Sequence, residues 1–164
     1  MNRQLMLLAF GLIITIPFFQ SSIFSRNYKP IPGLHVIKNL PSDMVAGATY
    51  EWMVSFVNPQ SENGLMNLTL EIAEEHGIGF EEFTVEGTLE SYDSPPKEHT
   101  YKTLKFTETS GGIFQSNQNP IDKRFNTITL KITLAPNLMP SKYTFTLTIT
   151  IKHQRETTHL TIKN

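Results

Sequence analysis

The chain has 164 residues and not one cysteine. That excludes disulfides, thiolate metal sites, cysteine nucleophiles and lipid attachment through sulfur. It leaves the compartment open, because exported proteins also fold without disulfides. An excess of charge of either sign is equally lacking: 14 Lys and Arg stand against 15 Asp and Glu, a formal charge of −1. A near-neutral chain has no electrostatic footprint for nucleic acid, and no nucleic-acid partner is expected. No serine sits in a nucleophile-elbow context, and no glycine-rich phosphate loop occurs. There is no internal repeat, and beyond the N-terminus no segment shows a helical apolar face. The hydrophobic fraction of 39% is modest. It suffices for a core of alternating strands, which bury only half of their residues.

What is present begins with a long apolar run, "MNRQLMLLAFGLIITIPFFQSSIFS". Arg3 is the only charged side chain before Arg26, and Leu5 to Phe19 is broken only by Gly11, Thr15 and Pro17. A positive start and an apolar stretch of this length suit a signal peptide. The cleavage site is poor, since Gln20-Ser21-Ser22 and Ile23-Phe24-Ser25 each lack the small residue three positions before the cut. Continued through Phe24, the run approaches the roughly 20 residues of a membrane-spanning helix. Residues 1–25 are therefore read as a signal peptide or N-terminal membrane anchor, the anchor being preferred. Residues 26–33 form a linker rich in proline and glycine. The expected location is extracytoplasmic, anchored or secreted, with the membrane as a partner through this segment.

From residue 34 onward the apolar period is two. Tyr50, Trp52, Val54 and Phe56 share a face; so do Met66, Leu68, Leu70 and Ile72. Phe83, Val85 and Leu89 follow, with Gly87 marking a bulge or a close approach. Leu104 with Phe106, then Ile128, Leu130, Ile132 and Leu134, continue the series. "KYTFTLTITIKH" is the most regular stretch: Tyr143, Phe145, Leu147, Ile149 and Ile151 alternate with four threonines. "THLTIK" closes the chain and "LHVIK" suits a first strand. Glu108 to Arg124, rich in Gly, Ser, Asn and Gln, reads as a long surface connection. The last two strands fit one hairpin register, Ile149 with Leu160 and Leu147 with Ile162, and a four-residue turn His153-Gln154-Arg155-Glu156. The expected fold is all-β: an antiparallel two-sheet sandwich of seven to nine strands over residues 34–164, preceded by one hydrophobic helix.

Two stretches carry a resemblance. In "LMPSKYTFTLTI", Leu138, Pro140 and Tyr143 match the Leu-x-Pro-Gly-x-Tyr entry to a late strand, with Ser141 in place of the glycine. "VAGATYEWMVSFVNP" is similar to an opening strand of the form Gly-x-x-Tyr-x-x-x-Val-x-Val-x-Asn. Residues 34–164 thus resemble immunoglobulin-like and fibronectin type III-like domains of archaeal or bacterial cell-surface, surface-layer-associated proteins. The resemblance implies a tyrosine corner at Tyr143, its ring packed inward and its hydroxyl bonded to backbone a few residues upstream. It implies architecture and no chemistry.

Asn67-Leu68-Thr69 is an Asn-x-Thr sequon on the face opposite Met66 and Leu68, which makes Asn67 the glycosylation candidate. His35, His76, His99, His153 and His159 show no ligand spacing and read as exposed polar residues. Met44, Met53, Met66 and Met139 are explained by packing. Glu74-Glu75, Glu81-Glu82 and Asp93 read as solvated edges, because neighbours on a strand point to opposite faces. Trp52 shares its parity with core residues and not with a carbohydrate platform. No metal, cofactor or catalytic residue is expected, and the chain is read as a non-enzyme. Its expected role is structural, adhesive or as a binding accessory, with other envelope proteins or copies of itself as partners. A filament subunit assembled by strand exchange through "RNYKPIPGLHVIK" and an exported metal-binding or enzymatic domain are the alternatives.

Overall fold

The computed structural model describes residues 33–58, 63–75, 83–93, 97–122, 124–155 and 157–164. The expected N-terminal helix and all of the linker except Gly33 lie outside them, as do His76, Glu81 and Glu82. Among the described residues every regular element is a strand: β1 Leu34–Lys38, β2 Thr49–Val57, β3 Gly64–Glu74, β4 Phe83–Tyr92, β5 His99–Ser110, β6 Ile113–Ser116, β7 Asn119–Ile121, β8 Phe125–Leu134, β9 Tyr143–Lys152 and β10 Thr157–Lys163. No described helix is long and apolar enough to cross a membrane.

Alternation produces these strands. Along β3, Met66, Leu68, Leu70 and Ile72 are sealed from water while Asn67, Thr69, Glu71 and Ala73 face outward. Along β8, Ile128, Leu130, Ile132 and Leu134 are buried and Thr127, Thr129, Lys131 and Thr133 alternate with them. β-Branched residues suit both sides of a pleated sheet, because their stiff side chains pack without losing much rotamer freedom. Each fully buried Leu or Ile contributes about 1.5–3 kcal/mol.

All pairings are antiparallel, in the order β1-β2-β8-β4-β5-β6-β3-β9-β10, with β7 on β3. Ten strands replace the seven to nine expected, and the two expected sheets are continuous with each other through β5. Its first part pairs with β4 as far as Lys105, opposite Glu86, and its second part pairs with β6 from Phe106, opposite Ser116. The strand thus turns the ladder from one layer into the other. The layers share one core, and Phe83 of β4 meets Phe145 and Tyr143 of β9 edge to face, with centroids 6.1 and 5.4 Å apart. The β9–β10 register is the expected one, Ile149 opposite Leu160 and Leu147 opposite Ile162, with residues 153–156 between the flanking pair Lys152 and Thr157.

Three expectations are corrected or narrowed here. Glu108 to Arg124 is not a surface connection but holds the end of β5, all of β6 and all of β7. Its inward positions include Ser116 and Asn119, so the apolar alternation is broken although the strands are not. Their polarity has a use. Leu68 N–H falls between the β6 and β7 pairings of β3, and Ser116 Oγ accepts it at 2.9 Å. Next, Gly87 is a close approach and not a bulge, since the ladders of β4 run through it in unbroken register. Finally, His153 is not exposed but buried, 5% accessible. It closes the end of the core, and its ring lies over Gly64, whose missing side chain leaves the room.

Candidate functional site

The outward face of the layer β1-β2-β8-β4-β5 has an order set by strand register. Across β2, β8, β4 and β5 one row reads Glu51, Lys131, Glu86, Lys105. Opposite charges alternate, and Lys38 of β1 extends the pattern with a 3.0 Å ion pair to Glu51. The next row is Met53, Thr129, Thr88, Thr103, and the one beyond is Ser55, Thr127, Glu90, Tyr101. The last row is Val57, Phe125, Tyr92, His99. Here the rings stack: Phe125 on Tyr92 with centroids 5.4 Å apart, and Tyr92 on His99 at 6.1 Å. Arg124 lies 5.8 Å over the Phe125 ring. His99 Nε2 reaches Glu90 Oε1 at 2.6 Å. Tyr101 is 66% exposed beside this strip. A depression of about 760 Å³ opens beside the aromatic row, over the rows of Glu51 and Thr88, with Glu51, Lys131, Glu86, Thr88, Tyr101 and Phe106 among its walls.

The hydrogen bond from Lys38 holds the Glu51 carboxyl below its ordinary 4.5; the charges of Lys38 and Lys131 act in the same direction, and desolvation opposes them. A depressed carboxyl stabilises the fold above its unfolded value, and that contribution is lost as the pH falls through the folded value. The pair is exposed, so the effect is small and confined to the edge it holds. Hydrogen-exchange protection of the β1 amides is expected to fall as the pH drops toward and below the carboxyl's ordinary 4.5 and through its lowered folded value. In a Glu51→Gln variant that fall should be missing; an equal fall would show that the pair does not hold β1.

Beneath the aromatic strip the core ends in polar groups. Ser91 Oγ donates to Asn126 Oδ1 at 2.7 Å, and Arg124 O accepts both Asn126 Nδ2 at 3.3 Å and Asn58 N at 2.7 Å. His153 Nε2 lies 3.2 Å from Asn58 Oδ1, which ties the two layers together. His153 Nδ1 is buried with no partner among the described residues. A second depression, about 750 Å³, lies at the opposite end over Leu40, Met44, Phe83, Leu138 and Phe145.

The residues singled out in the sequence are dispersed. Asn67 is half-buried on the outward face of β3, opposite Thr150 of β9. Tyr143 is the first residue of β9, and its hydroxyl donates to Met139 O at 3.2 Å. Trp52 is wholly buried. Thr146, Thr148 and Thr150 of β9 are half-buried between β3 and β10, with Thr148 flanked by Thr69 and Thr161. Glu74 ends β3 and Asp93 follows β4, so they do not form a pair on one strand. Among the described residues no three of His, Asp and Glu converge as metal ligands would. The aromatic strip was missed because Tyr92 and His99 flank a turn-rich stretch and Phe125 lies 33 residues beyond Tyr92. Only the β8–β4–β5 pairing assembles it. The signal that could have found it is the outward parity of Tyr101 beside that of Tyr92 and Phe125.

No family model and no curated protein matches the sequence. Solved structures of similar shape include AvmM, which catalyses macrocyclization in alchivemycin A biosynthesis, at 12% identity and a TM-score of 0.45 over 79% of this chain and 86% of that one. Another is a family 123 glycoside hydrolase from Clostridium perfringens, at 12% identity and 0.42, where 73% of this chain spans 21% of the enzyme. A third is ACE19, the collagen-binding subdomain of the Enterococcus faecalis surface protein ACE, at 11% identity and 0.38 over 77% and 96%. Two of these are catalysts, which corrects the reading of the chain as a non-enzyme. That reading rested on missing motifs alone. At such identities and TM-scores the likeness assigns neither an activity nor a role to this chain.

Proposed function

We propose that the chain is a cell-envelope recognition domain, exported and held at the outer side of a membrane by its N-terminal segment. The observation that carries recognition is the outward aromatic strip, Phe125, Tyr92 and His99, with exposed Tyr101 beside a depression. A sheet face that only meets solvent gains little by displaying rings there. Export is supported by the apolar run before Arg26. An immunoglobulin-like or fibronectin III-like build is supported by strand order: β1-β2-β8-β4 in one layer and β3-β9-β10 in the other follow that architecture's two sheets. The strands β5, β6 and β7 are then an excursion between its fourth and fifth strands. The Tyr143 hydroxyl bond to Met139 O, at the entry to β9, supports the tyrosine-corner reading.

Membrane fractionation followed by mass spectrometry of the N-terminus tests the proposal. The expected result is recovery in the membrane or exported fraction, with the segment before Arg26 retained. Cleavage would make the domain secreted, and recovery in the cytoplasm would remove the export reading. The same spectra report whether Asn67 carries a glycan.

Strand exchange between copies is a second reading, favoured by β1. It is five residues long, lies at an edge, exposes Val36 and Ile37, and shifts register between Val36 and Lys38. Ordered polymers in electron micrographs, lost on deletion of residues 26–38, would support it.

A further inference from the structure

We propose that the depression over β2, β8, β4 and β5 binds a neutral oligosaccharide, with Tyr101 as the stacking platform. The inference rests on the recognition reading and names its ligand class.

Shape comes first. The depression, about 760 Å³, lies in the size range of ligand sites. Its walls span four neighbouring strands, from Glu51 of β2 to Tyr101 and Lys105 of β5, which suits a section of a polymer better than an enclosed small molecule. The platform comes second. Tyr101 is 66% exposed, and its ring stacks on no other ring among the described residues. A sugar ring presents an apolar C–H face to such a side chain and a fringe of hydroxyls around it. Those hydroxyls both donate and accept, so they can use carboxylates, ammonium groups and threonines alike.

The walls provide all three. Glu86, Lys105 and Lys131 make no side-chain hydrogen bond or ion pair among the described residues, and Thr88 and Thr103 lie one row on, directly across the strands from each other. Charge then selects among polymers. Glu51, Lys131, Glu86 and Lys105 alternate in sign across neighbouring strands. A ligand of one sign meets attraction and repulsion at successive strands and gains little net energy. An anionic strand such as nucleic acid would lie against Glu51, Glu86 and Glu90. A neutral hydroxyl-rich chain desolvates no charge of its own and fits either sign.

The test titrates the full chain, purified in detergent, with chitohexaose, cellohexaose and mannohexaose, and in parallel with hexagalacturonate and an extended polyproline peptide. At least one neutral hexasaccharide is expected to bind in the micromolar to millimolar range usual for small polar ligands. Tyr101→Ala should weaken it by about tenfold or more. Tyr101→Phe should retain it, and Thr148→Ala in the other layer should leave it unchanged. Raising the salt from about 50 to about 500 mM should shift the affinity less than about twofold, since no net charge is neutralised. The proposal is overturned if no neutral hexasaccharide saturates the protein by about 10 mM, a Kd beyond useful recognition. It is equally overturned if only hexagalacturonate binds, or if folded Tyr101→Ala keeps full affinity. Binding of the peptide alone would remove the oligosaccharide and leave the recognition reading standing. Export is judged separately by the fractionation above.

Discussion

Truncation of Trp52 to alanine is expected to cost about 3–5 kcal/mol, a large share of the roughly 5–15 kcal/mol that holds a domain folded. Trp52 is wholly buried in β2, pairs with Leu130 of β8, and packs in the core shared by both layers. Removing the indole leaves a void that paired strands on either side cannot fill without breaking ladder hydrogen bonds. Urea unfolding followed by circular dichroism should show a lower midpoint with an unchanged slope. A companion variant sharpens the result. The indole Nε1 is buried with no hydrogen-bond partner among the described residues, and an unsatisfied buried donor costs about 1–3 kcal/mol. Trp52→Phe removes that donor along with part of the ring, so it should be distinctly milder than Trp52→Ala. Equal losses would show that the N–H is satisfied in solution.

The second large effect is expected at Gly87, where valine should destabilise by about 1–3 kcal/mol or more through overpacking. A Cβ at this position would lie 2.7 Å from Phe106 Cε2 and 3.1 Å from Leu104 Cβ. The backbone of Gly87 does not have a positive φ, so the demand is for space and not for glycine's conformational freedom. Phe106 stands where β5 turns from one layer into the other. Its ring fills the volume that the missing side chain leaves, which is how an aromatic neighbour can support a glycine within a sheet. The double variant Gly87→Ala with Phe106→Leu should therefore recover part of the loss of Gly87→Ala alone. Thermal unfolding of the four forms gives the coupling, and strict additivity would mean that the two residues do not compete for the same space. Gly87 and Phe106 also line the candidate oligosaccharide depression, so the geometry of the joint shapes the site.

Much of the fold was legible from residues alone. Alternation correctly assigned the inward faces of β2, β3, β8 and β9, because a period of two is a local property of the chain. The β9–β10 register was legible because a short hairpin leaves few ways to keep Leu160 and Ile162 inward. Ser116, Asn119 and Asn126 were not legible as inward residues. Each is polar, and each is accommodated by a hydrogen bond whose partner lies on a neighbouring strand or turn. His153 was misjudged for the same reason. Its burial depends on Asn58, 95 residues away, and on the space above Gly64.

The sequence by itself determined the class of the molecule and which side of most strands faces the core, since apolar side chains must leave water wherever the chain places them. It also determined an apolar N-terminal run and a near-neutral charge. Only the tertiary structure decided which strands lie side by side. That choice joined the layers through β5 and drew Phe125, Tyr92, His99 and Tyr101 onto one outward face. It also lined up the charges of Glu51, Lys131, Glu86 and Lys105 from four separate strands. Periodicity tells each residue its side of the sheet; it cannot tell it its neighbours across the ladder, and the candidate site is made of those neighbours.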